Sequence, residues 1–243
     1  MTSVAVLSDI HGNLAALEAV VADAERAGCT AFVNLGDILS GPLWPRETAD
    51  YLMARDWPTL AGNHERQLLT QAHDVMGASD RFTAAQLDDR HWRWLASLPP
   101  VLDYSADIFL CHGTPQSDLA YFLETVDPQD ARAALPSEVE ERLGAISHRL
   151  TLCGHTHMSR QMQLADGRSV ANPGSVGLQA YDWDVPFPHV MENGDPKARY
   201  AIVHPDGVVE LRALDYDHHA AIAKARREGR EDWIAPLGRG QVT

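Results

Sequence analysis

The stretch Val4-Ala5-Val6-Leu7-Ser8-Asp9-Ile10-His11-Gly12-Asn13 joins a short apolar run to a polar segment that offers several ligand atoms. The apolar run predicts a buried strand over residues 4–8. Asn13 suits a helix N-cap, and apolar residues at 14, 17, 20, 21 and 24 then recur at helical spacing. A second apolar run predicts a strand over 31–35. Strand, helix and strand in this order are typical of a βαβ unit with parallel strands.

The rest of the chain alternates helical and strand-like patterns, with Asp206-Gly207 as a hairpin turn signal. The patterns predict helices over 45–55, 64–76, 83–96, 136–147 and 217–228, and strands over 59–61, 108–112, 150–153, 169–171, 200–204 and 208–214. The last dozen residues are predicted to form a loose tail. We expect a single domain over 1–243, with insertions at its rim near 67–100 and 179–199.

Composition and charge narrow the classes of function. Of the 243 residues, 45% are hydrophobic and 22% are charged, as in globular proteins. A net charge of −14 opposes broad binding to a nucleic-acid backbone. Three widely spaced cysteines indicate neither a disulfide framework nor a zinc ribbon. No signal peptide or membrane-spanning run is evident, so we expect a cytoplasmic protein with no membrane partner.

Five short segments each place His, Asp or Asn directly after an apolar, strand-like run. They are Ser8-Asp9-Ile10-His11, Gly36-Asp37, Gly62-Asn63-His64-Glu65, His112-Gly113 and Gly154-His155-Thr156-His157. The ends of strands are where α/β folds place their ligands. The sequence therefore predicts one polar site built from all five segments.

The spacing and the residue types indicate metal ions. Asp9 and His11 are two residues apart, as are His155 and His157, and in an extended backbone such pairs point to the same side. Imidazole, carboxylate and amide groups favour divalent manganese, with iron, zinc, nickel or magnesium as alternatives. Two such ions about 3.5–4 Å apart can clamp a phosphate and activate a water molecule.

The order Asp-x-His, Gly-Asp, Gly-Asn-His-Glu, His-Gly, Gly-His-x-His resembles the calcineurin-like metallophosphoesterase family. The segment Asn172-Pro173-Gly174-Ser175-Val176-Gly177 also resembles one that is common in its small bacterial members. From the residues alone, Asn172 equally well starts a turn before Pro173. The resemblance implies a four-layer α/β sandwich, with two mixed β-sheets face to face and helices outside.

The same resemblance implies a role for each motif residue. Two divalent metal ions would be held by Asp9, His11 and His157 at the first position, by Asn63, His112 and His155 at the second, and by Asp37 at both. His64 would contact the phosphate and assist the leaving oxygen after attack by a metal-bridging hydroxide. Glu65 would orient His64, and Asn13 and Asn63 would contact substrate.

We expect a small phosphate-ester substrate, with phosphodiesters or nucleotides favoured because no basic cluster accompanies the motifs. The alternatives are a phosphomonoesterase, a protein phosphatase, or a non-catalytic scaffold with the same fold. The segment 179–199 is expected to border the site or to mediate self-association into a homo-oligomer. A structural or surface role is preferred for the remaining histidines, which are His73, His91, His148, His204, His218 and His219.

Overall fold

Two mixed β-sheets form the centre of the computed structural model, which describes residues 2–243. The strands are β1 (Val4–Leu7), β2 (Ala31–Asn34), β3 (Val101–Asp103), β4 (Ile108–Cys111), β5 (Glu124–Val126), β6 (Ala131–Ala133), β7 (Leu150–Leu152), β8 (Arg160–Gln163), β9 (Ser169–Asn172), β10 (Ala180–Trp183), β11 (His189–Glu192), β12 (Ala198–Val203) and β13 (Val209–Leu214). The helices are α1 (Leu14–Arg26), α2 (Pro45–Met53), α3 (Asn63–Thr70), α4 (Ala78–Gln86), α5 (Asp89–Leu95), α6 (Pro136–Leu143), α7 (His219–Arg227) and α8 (Ile234–Arg239).

The first sheet has the strand order β13-β12-β1-β2. β1 pairs in parallel with β2, Val4 lying opposite Ala31, and pairs antiparallel with β12 on its other side. The predicted βαβ unit is therefore confirmed. β12 and β13 form the predicted hairpin around Asp206-Gly207.

The second sheet has the order β3-β4-β7-β9-β8, in which β4, β7 and β9 are parallel. Its edge strands β3 and β8 are antiparallel to their neighbours. Two separate hairpins, β5–β6 and β10–β11, complete the strands. The second of them lies in the segment 179–199, which was predicted only as a loop-like insertion.

Buried side chains show that the two sheets pack face to face. Val6 and Val33 from the first sheet share one core cluster with Leu110 and Leu152 from the second. The outer face of the first sheet packs against α1 and α2, and that of the second packs against α6. This helix, sheet, sheet, helix arrangement confirms the predicted four-layer α/β sandwich.

Helix α1 follows directly from its sequence. The Asn13 side chain caps it by accepting a hydrogen bond from the Ala16 amide at 3.2 Å. Leu17, Val20 and Val21 are buried against the first sheet, as their spacing predicts. Burying one such side chain contributes roughly 1.5–3 kcal/mol, so this face fixes the helix on the sheet.

Three local predictions between residues 59 and 96 are wrong in extent. The predicted strand 59–61 is a single bridge between Asn34 and Thr59. The helix predicted over 64–76 ends at Thr70. The helix predicted over 83–96 is two helices, because the backbone at Leu87 is extended and Asp88 caps α5 by accepting from the Arg90 amide. Local capping bonds override the helical periodicity there.

The predicted loose tail is also wrong. Residues Glu231–Trp233 form a 3-10 turn that continues into α8. Trp233 and Leu237 are buried in a cluster with Ala221 of α7. These apolar side chains supply the burial that orders the chain end. Within residues 2–243, no helix combines the length and the apolar character needed to cross a membrane.

Candidate dinuclear metal centre

The predicted ligands follow the carboxyl ends of parallel strands. Asp9 and His11 follow β1, and Asp37 follows β2 of the same sheet. His112 follows β4, and His155 and His157 follow β7 of the other sheet. Because parallel strands end at one edge of a sheet, the two packed sheets bring all of these side chains to one edge of the sandwich.

The turns that carry the ligands have an uncommon backbone conformation. Among residues 2–243, five residues other than glycine have a positive φ, between 51° and 68°, and they are Asp9, His11, Asp37, His155 and His157. The prediction that each pair lies on an extended strand is therefore wrong. The pairs converge because the chain turns through left-handed conformations, which L-residues adopt at a cost and which cluster at functional sites.

Glu65 holds one of these turns in place. Its buried carboxylate accepts hydrogen bonds from the amides of Asp37 at 2.8 Å, Ile38 at 2.9 Å and Gly62 at 2.8 Å. Burial and the nearby Asp37 charge raise the pKa of Glu65, while these amide bonds oppose that rise. Glu65 therefore positions Asp37, and the structure corrects the prediction that it orients His64.

Gly62 and Gly154 allow the close approach that these turns require. A Cβ atom at Gly62 would clash with the carboxylate of Asp37, and one at Gly154 would clash with the hydroxyl of Ser8. The glycines in the sequence motifs thus have a steric reason, since any side chain there would displace a ligand turn.

The first ligand cluster consists of Asp9, His11 and His157. Their ligand atoms all lie within 4.8 Å of one another, and all three residues are buried. Nε2 of His157 lies 3.1 Å from Nε2 of His11 and 3.5 Å from Oδ1 of Asp9. This geometry places two nitrogen atoms and one carboxylate around a common point.

The second cluster consists of Asp37, His112 and His155, whose ligand atoms also lie within 4.8 Å of one another. Nε2 of His112 lies 3.1 Å from Oδ2 of Asp37 and 3.2 Å from Oδ1 of Asn63. The amide oxygen of Asn63 thus belongs to the same group. Six of the seven predicted metal ligands fall into the two clusters, and the seventh is in contact with the second.

Backbone carbonyls fix the orientation of the imidazole rings. Nδ1 of His11, His112 and His157 donates to the carbonyls of Ser40, Leu35 and Leu178, each at 2.8 Å. Nε2 of each of these rings is therefore directed into the site. In His155 the two ring nitrogens have the opposite roles. Its Nε2 donates to the Leu119 carbonyl at 3.1 Å, and its Nδ1 is the nitrogen left for a metal ion. Such orienting bonds are typical of metal-binding histidines.

The electrostatics of the clusters suit cations. Burial lowers the pKa of His11 to about 3 and that of His155 to about 4, which keeps both rings neutral. Burial opposes ionisation of Asp37, but His112 and His64 hold the pKa of Asp37 well below its usual range. Against its burial, Asp37 and Asp9 raise the pKa of His112 to about 10. Ionised carboxylates beside imidazole lone pairs form a strong site for a divalent ion.

His64 lies beside both clusters without being part of either. Its amide donates to Oδ1 of Asp37 at 3.0 Å, and its ring stands edge-on to that of His11 at 5.5 Å. Nδ1 lies 2.9 Å from Oδ1 of Asp80, which also accepts from the Ser40 hydroxyl at 2.6 Å. Asp80 is buried in the first turn of α4 and is therefore the residue that orients His64. No motif or spacing singles it out in the sequence.

Residues 2–159, which contain all five motif segments, match the model of the calcineurin-like phosphoesterase family. The chain belongs to this family. It is accordingly a metal-dependent phosphoesterase, and the two clusters are its candidate metal-ligand groups.

Relatives cover nearly the whole chain. A metallophosphoesterase from Sphaerobacter thermophilus is 26% identical, with a TM-score of 0.77 over 98% of this chain and 99% of that chain. A protein from Pyrococcus horikoshii OT3 is 20% identical, with a TM-score of 0.74 over 99% of both chains. An uncharacterized protein of Methanocaldococcus jannaschii is 23% identical over an aligned length of 254, and the alignment covers 95% of this chain and 95% of that protein.

Two asparagines of this phosphoesterase have structural contacts. The Nδ2 atom of Asn13 donates to the Gly177 carbonyl at 2.9 Å and to the Tyr216 hydroxyl at 3.0 Å. The side-chain oxygen of Asn13 caps α1, and the whole side chain is buried. The prediction that Asn13 contacts a phosphate is therefore wrong. Asn172 donates to the Gly154 carbonyl at 2.7 Å and accepts from the Gly174 amide, and thus builds the turn before the His155 and His157 ligands.

The other histidines lie outside the two clusters. His91 is buried between Asp50 and Asp88, at 2.8 and 3.0 Å. His204 pairs with Glu210 at 3.0 Å. His73 and His219 are exposed, and His218 is half-buried. These positions agree with the structural and surface roles predicted for them.

A cavity of about 570 Å³ opens over the ligand clusters of the phosphoesterase. Its floor includes His11, Asp37, His64, His155 and His157. The β10–β11 hairpin lines it with Tyr181, Asp182, Trp183, Val185 and Pro186. Of the two alternatives for the segment 179–199, the one that borders the site is thereby confirmed.

Proposed function

We propose that this chain is a dinuclear metal-dependent hydrolase of phosphate esters that prefers phosphodiester or nucleotide substrates. The observation that carries the proposal is the convergence of two three-residue ligand clusters, with the ring of His64 beside them, on one cavity. A non-catalytic scaffold needs neither a complete ligand set nor an oriented histidine next to it.

The geometry of the ligand atoms fits bound metal ions. Since Nδ1 of both His11 and His157 donates to a carbonyl, both Nε2 atoms carry lone pairs, and these atoms are 3.1 Å apart. Two buried lone pairs at this distance repel each other unless they share a cation. The residues that would hold the first ion are Asp9, His11 and His157, those that would hold the second are Asn63, His112 and His155, and Asp37 would contact both.

The ligand types favour divalent manganese, since imidazole combines with carboxylate and amide oxygen and no thiolate takes part. Bound ions of this kind would lower the pKa of a water molecule and neutralise phosphate oxygens. The task of the protein is to fix the ligands, which the left-handed turns and the carbonyl bonds to the rings accomplish.

His64 would serve the leaving group. Asp80 bonds to Nδ1, which directs the opposite edge of the ring, with Nε2, toward the cavity that the ring lines. As the ester P–O bond breaks, the departing oxygen takes a proton from His64. The resulting neutral ring regains a proton from water, so the residue acts as a general acid.

The arginine side chains nearest to the motifs support a preference for diesters, because both are engaged by carboxylates. A phosphodiester carries one negative charge, whereas a monoester near neutral pH carries nearly two. Arg66 is bonded to Asp118 at 2.6 and 2.9 Å, and Arg160 is bonded to Glu124 at 2.8 Å. Neither guanidinium is thus free to neutralise an additional charge on a substrate.

Asp37→Asn tests the proposal directly, because a neutral amide would bridge two cations poorly. The native chain, loaded with Mn²⁺, is expected to hold two ions and to hydrolyse bis(p-nitrophenyl) phosphate. The variant is expected to lose bound metal and turnover together, as measured by elemental analysis and by nitrophenolate release.

Asp56→Asn is the matched control, since Asp56 is exposed and lies outside both clusters. It is expected to retain both ions and full turnover. An Asp37→Asn protein that keeps two ions and native turnover would contradict the proposed role of Asp37, and a metal-loaded native chain that cleaves no phosphate ester would contradict the proposed function.

A further inference from the structure

The cavity over the ligand clusters has an apolar wall that the phosphoesterase reaction by itself does not need. Trp183, Val185 and Pro186 of the β10–β11 segment line it, together with Leu119 and Tyr121 from the segment between β4 and β5. Trp183 is 55% exposed, Val185 64% and Leu119 50%. Exposed apolar side chains gathered around one concave site are typical of a ligand-binding surface.

Hydrogen bonds fix this wall relative to the metal ligands. His189 Nδ1 donates to the Phe187 carbonyl at 2.7 Å, so its Nε2 accepts from the Tyr121 hydroxyl at 2.9 Å. The Tyr121 oxygen in turn accepts from the Tyr181 hydroxyl at 2.8 Å. The Tyr181 ring stands edge-on to His157 at 4.8 Å. A wall held in this way needs little ordering when a ligand binds.

The charges around the wall disfavour a second anionic group. Among the described residues that line the cavity, Arg142 is the single Lys or Arg side chain, and it donates to the carbonyls of Phe122 and Glu124 and to the Thr125 hydroxyl. The carboxyl groups of Glu124 and Asp182 line the same cavity. A further phosphate or carboxylate bound there would find these acidic groups and no unengaged guanidinium.

We infer that this wall is a subsite for an uncharged, flat apolar ester group, so that the phosphodiesters cleaved are those with an aromatic group on the phosphate. The inference rests on the proposed function and deepens it. His64 flanks His11, whereas Tyr181 flanks His157. A leaving oxygen near His64 therefore places the remaining ester group toward the hairpin, where Trp183 can stack on it.

Three diesters with the same p-nitrophenolate leaving group test the subsite. The second ester group is methyl, phenyl or 4-carboxyphenyl, and kcat/KM is measured with Mn²⁺. The phenyl ester is expected to exceed the methyl ester on the order of 10-fold, because an aromatic ring is buried. The carboxyphenyl ester is expected to fall below the phenyl ester.

Trp183→Ala is expected to remove most of the phenyl preference, because kcat/KM should fall more for the phenyl ester than for the methyl ester, which has no ring to stack on Trp183. Phe187→Ala is the matched control. Phe187 is an aromatic residue of the same segment, is 40% exposed and does not line the cavity, so the phenyl preference should persist.

A binding measurement gives an independent readout. Phenylphosphonate should bind the Mn²⁺-loaded protein more tightly than methylphosphonate by calorimetry, and Trp183→Ala should abolish the difference. Equal kcat/KM for the three diesters, or equal loss for both neutral esters in Trp183→Ala, would overturn the subsite and leave the proposed function standing. If no diester is hydrolysed, both the proposed function and the subsite fail.

Discussion

Strained backbone and buried acceptors together aim the ligands of this phosphoesterase. Each left-handed residue costs about 1–3 kcal/mol unless its surroundings hold it. At Asp37 the surroundings are the Glu65 carboxylate on two successive amides, and at His155 they are the Asp9 carboxylate, which accepts from the His155 amide at 3.2 Å. One ligand thus holds the turn of another, so the loss of either should disturb both clusters.

His64 and Asp80 give a prediction at the scale of single residues. His64→Ala should keep both metal ions and lose kcat on the order of 10²–10⁴-fold, the usual contribution of general acid–base catalysis. Asp80→Asn should lose less, because it removes the orienting carboxylate and keeps the ring. The double variant should be little worse than His64→Ala, since both changes act through one group.

Varying the leaving group of the ester tests the roles predicted for His64 and Asp80. With esters of increasingly acidic alcohols, the defect of His64→Ala in kcat should shrink, because a better leaving group needs less protonation. Elemental analysis of both variants should show two ions per chain. A His64→Ala protein that has lost its metal would instead make His64 a ligand.

Helix α1 gives a prediction at the scale of an element. Leu17 is fully buried between the helix and the first sheet, and Leu17→Ala should lower the free energy of unfolding by about 2–5 kcal/mol. Glu18 is the next residue along α1 and lies on its exposed face, so Glu18→Ala should change the free energy of unfolding by no more than about 0.5 kcal/mol. Urea titrations monitored by circular dichroism measure both values.

A loss for Glu18→Ala as large as that for Leu17→Ala would show that helix propensity, rather than burial, sets the stability of α1.

Elements with a strong periodic pattern were predictable from sequence. β1, α1 and β2 were found because apolar spacing and an N-cap agree there. The motif order also placed Asp9 and His157 in one cluster although they are far apart in the chain. In these places local pattern and tertiary packing favour the same answer.

Features that depend on distant partners were not predictable. Asp80 orients His64 only because α4 packs next to the ligand turns, and no local pattern encodes that contact. Helix α8 forms because Trp233 is buried against α7. The β10–β11 hairpin forms by cross-strand pairing within a Pro-rich segment. The left-handed φ of these residues also depends on the tertiary fold, since Asp and His adopt it more often than most residues but still only in a small minority of cases.

At the scale of the molecule, each cluster joins the two sheets. Asp9 and His11 come from the first sheet and His157 from the second, while Asp37 comes from the first and His112 and His155 from the second. Ions that bind the folded chain alone stabilise it, by about 2.7 kcal/mol at a free concentration 100 times the Kd. Removing them should therefore weaken the contact between the sheets.

Chelation tests this coupling. Dialysis against a chelator should lower Tm by several degrees, given roughly 2–4 °C per kcal/mol for a chain of this size. Added Mn²⁺ should restore it in a concentration-dependent manner. Asp37→Asn should start at a lower Tm in Mn²⁺ and respond less to the chelator. An unchanged Tm of the native chain after removal of all metal would contradict the coupling.

Substrate charge is the last property that belongs to the whole molecule. With a net charge of −14, the protein repels anions except where bound cations reverse the local sign. Two ions can engage two phosphate oxygens, but the third oxygen of a monoester dianion profits from an additional Arg or Lys. Arg66 is engaged by Asp118 and Arg46 by Asp88 at 3.0 Å, so neither is free to supply that contact.

We therefore predict that a diester has a higher kcat/KM than the monoester with the same leaving group, by roughly 10-fold, the worth of one charge-assisted hydrogen bond. Methyl p-nitrophenyl phosphate and p-nitrophenyl phosphate, compared at saturating Mn²⁺, give the ratio. His155→Ala, which lacks a ligand, controls for contaminating phosphatases. The ratio should fall toward one below about pH 6, where the monoester gains a proton and carries one charge. A clear preference for the monoester at neutral pH would mean that a cation reaches the site from another subunit or from a rearranged Arg66.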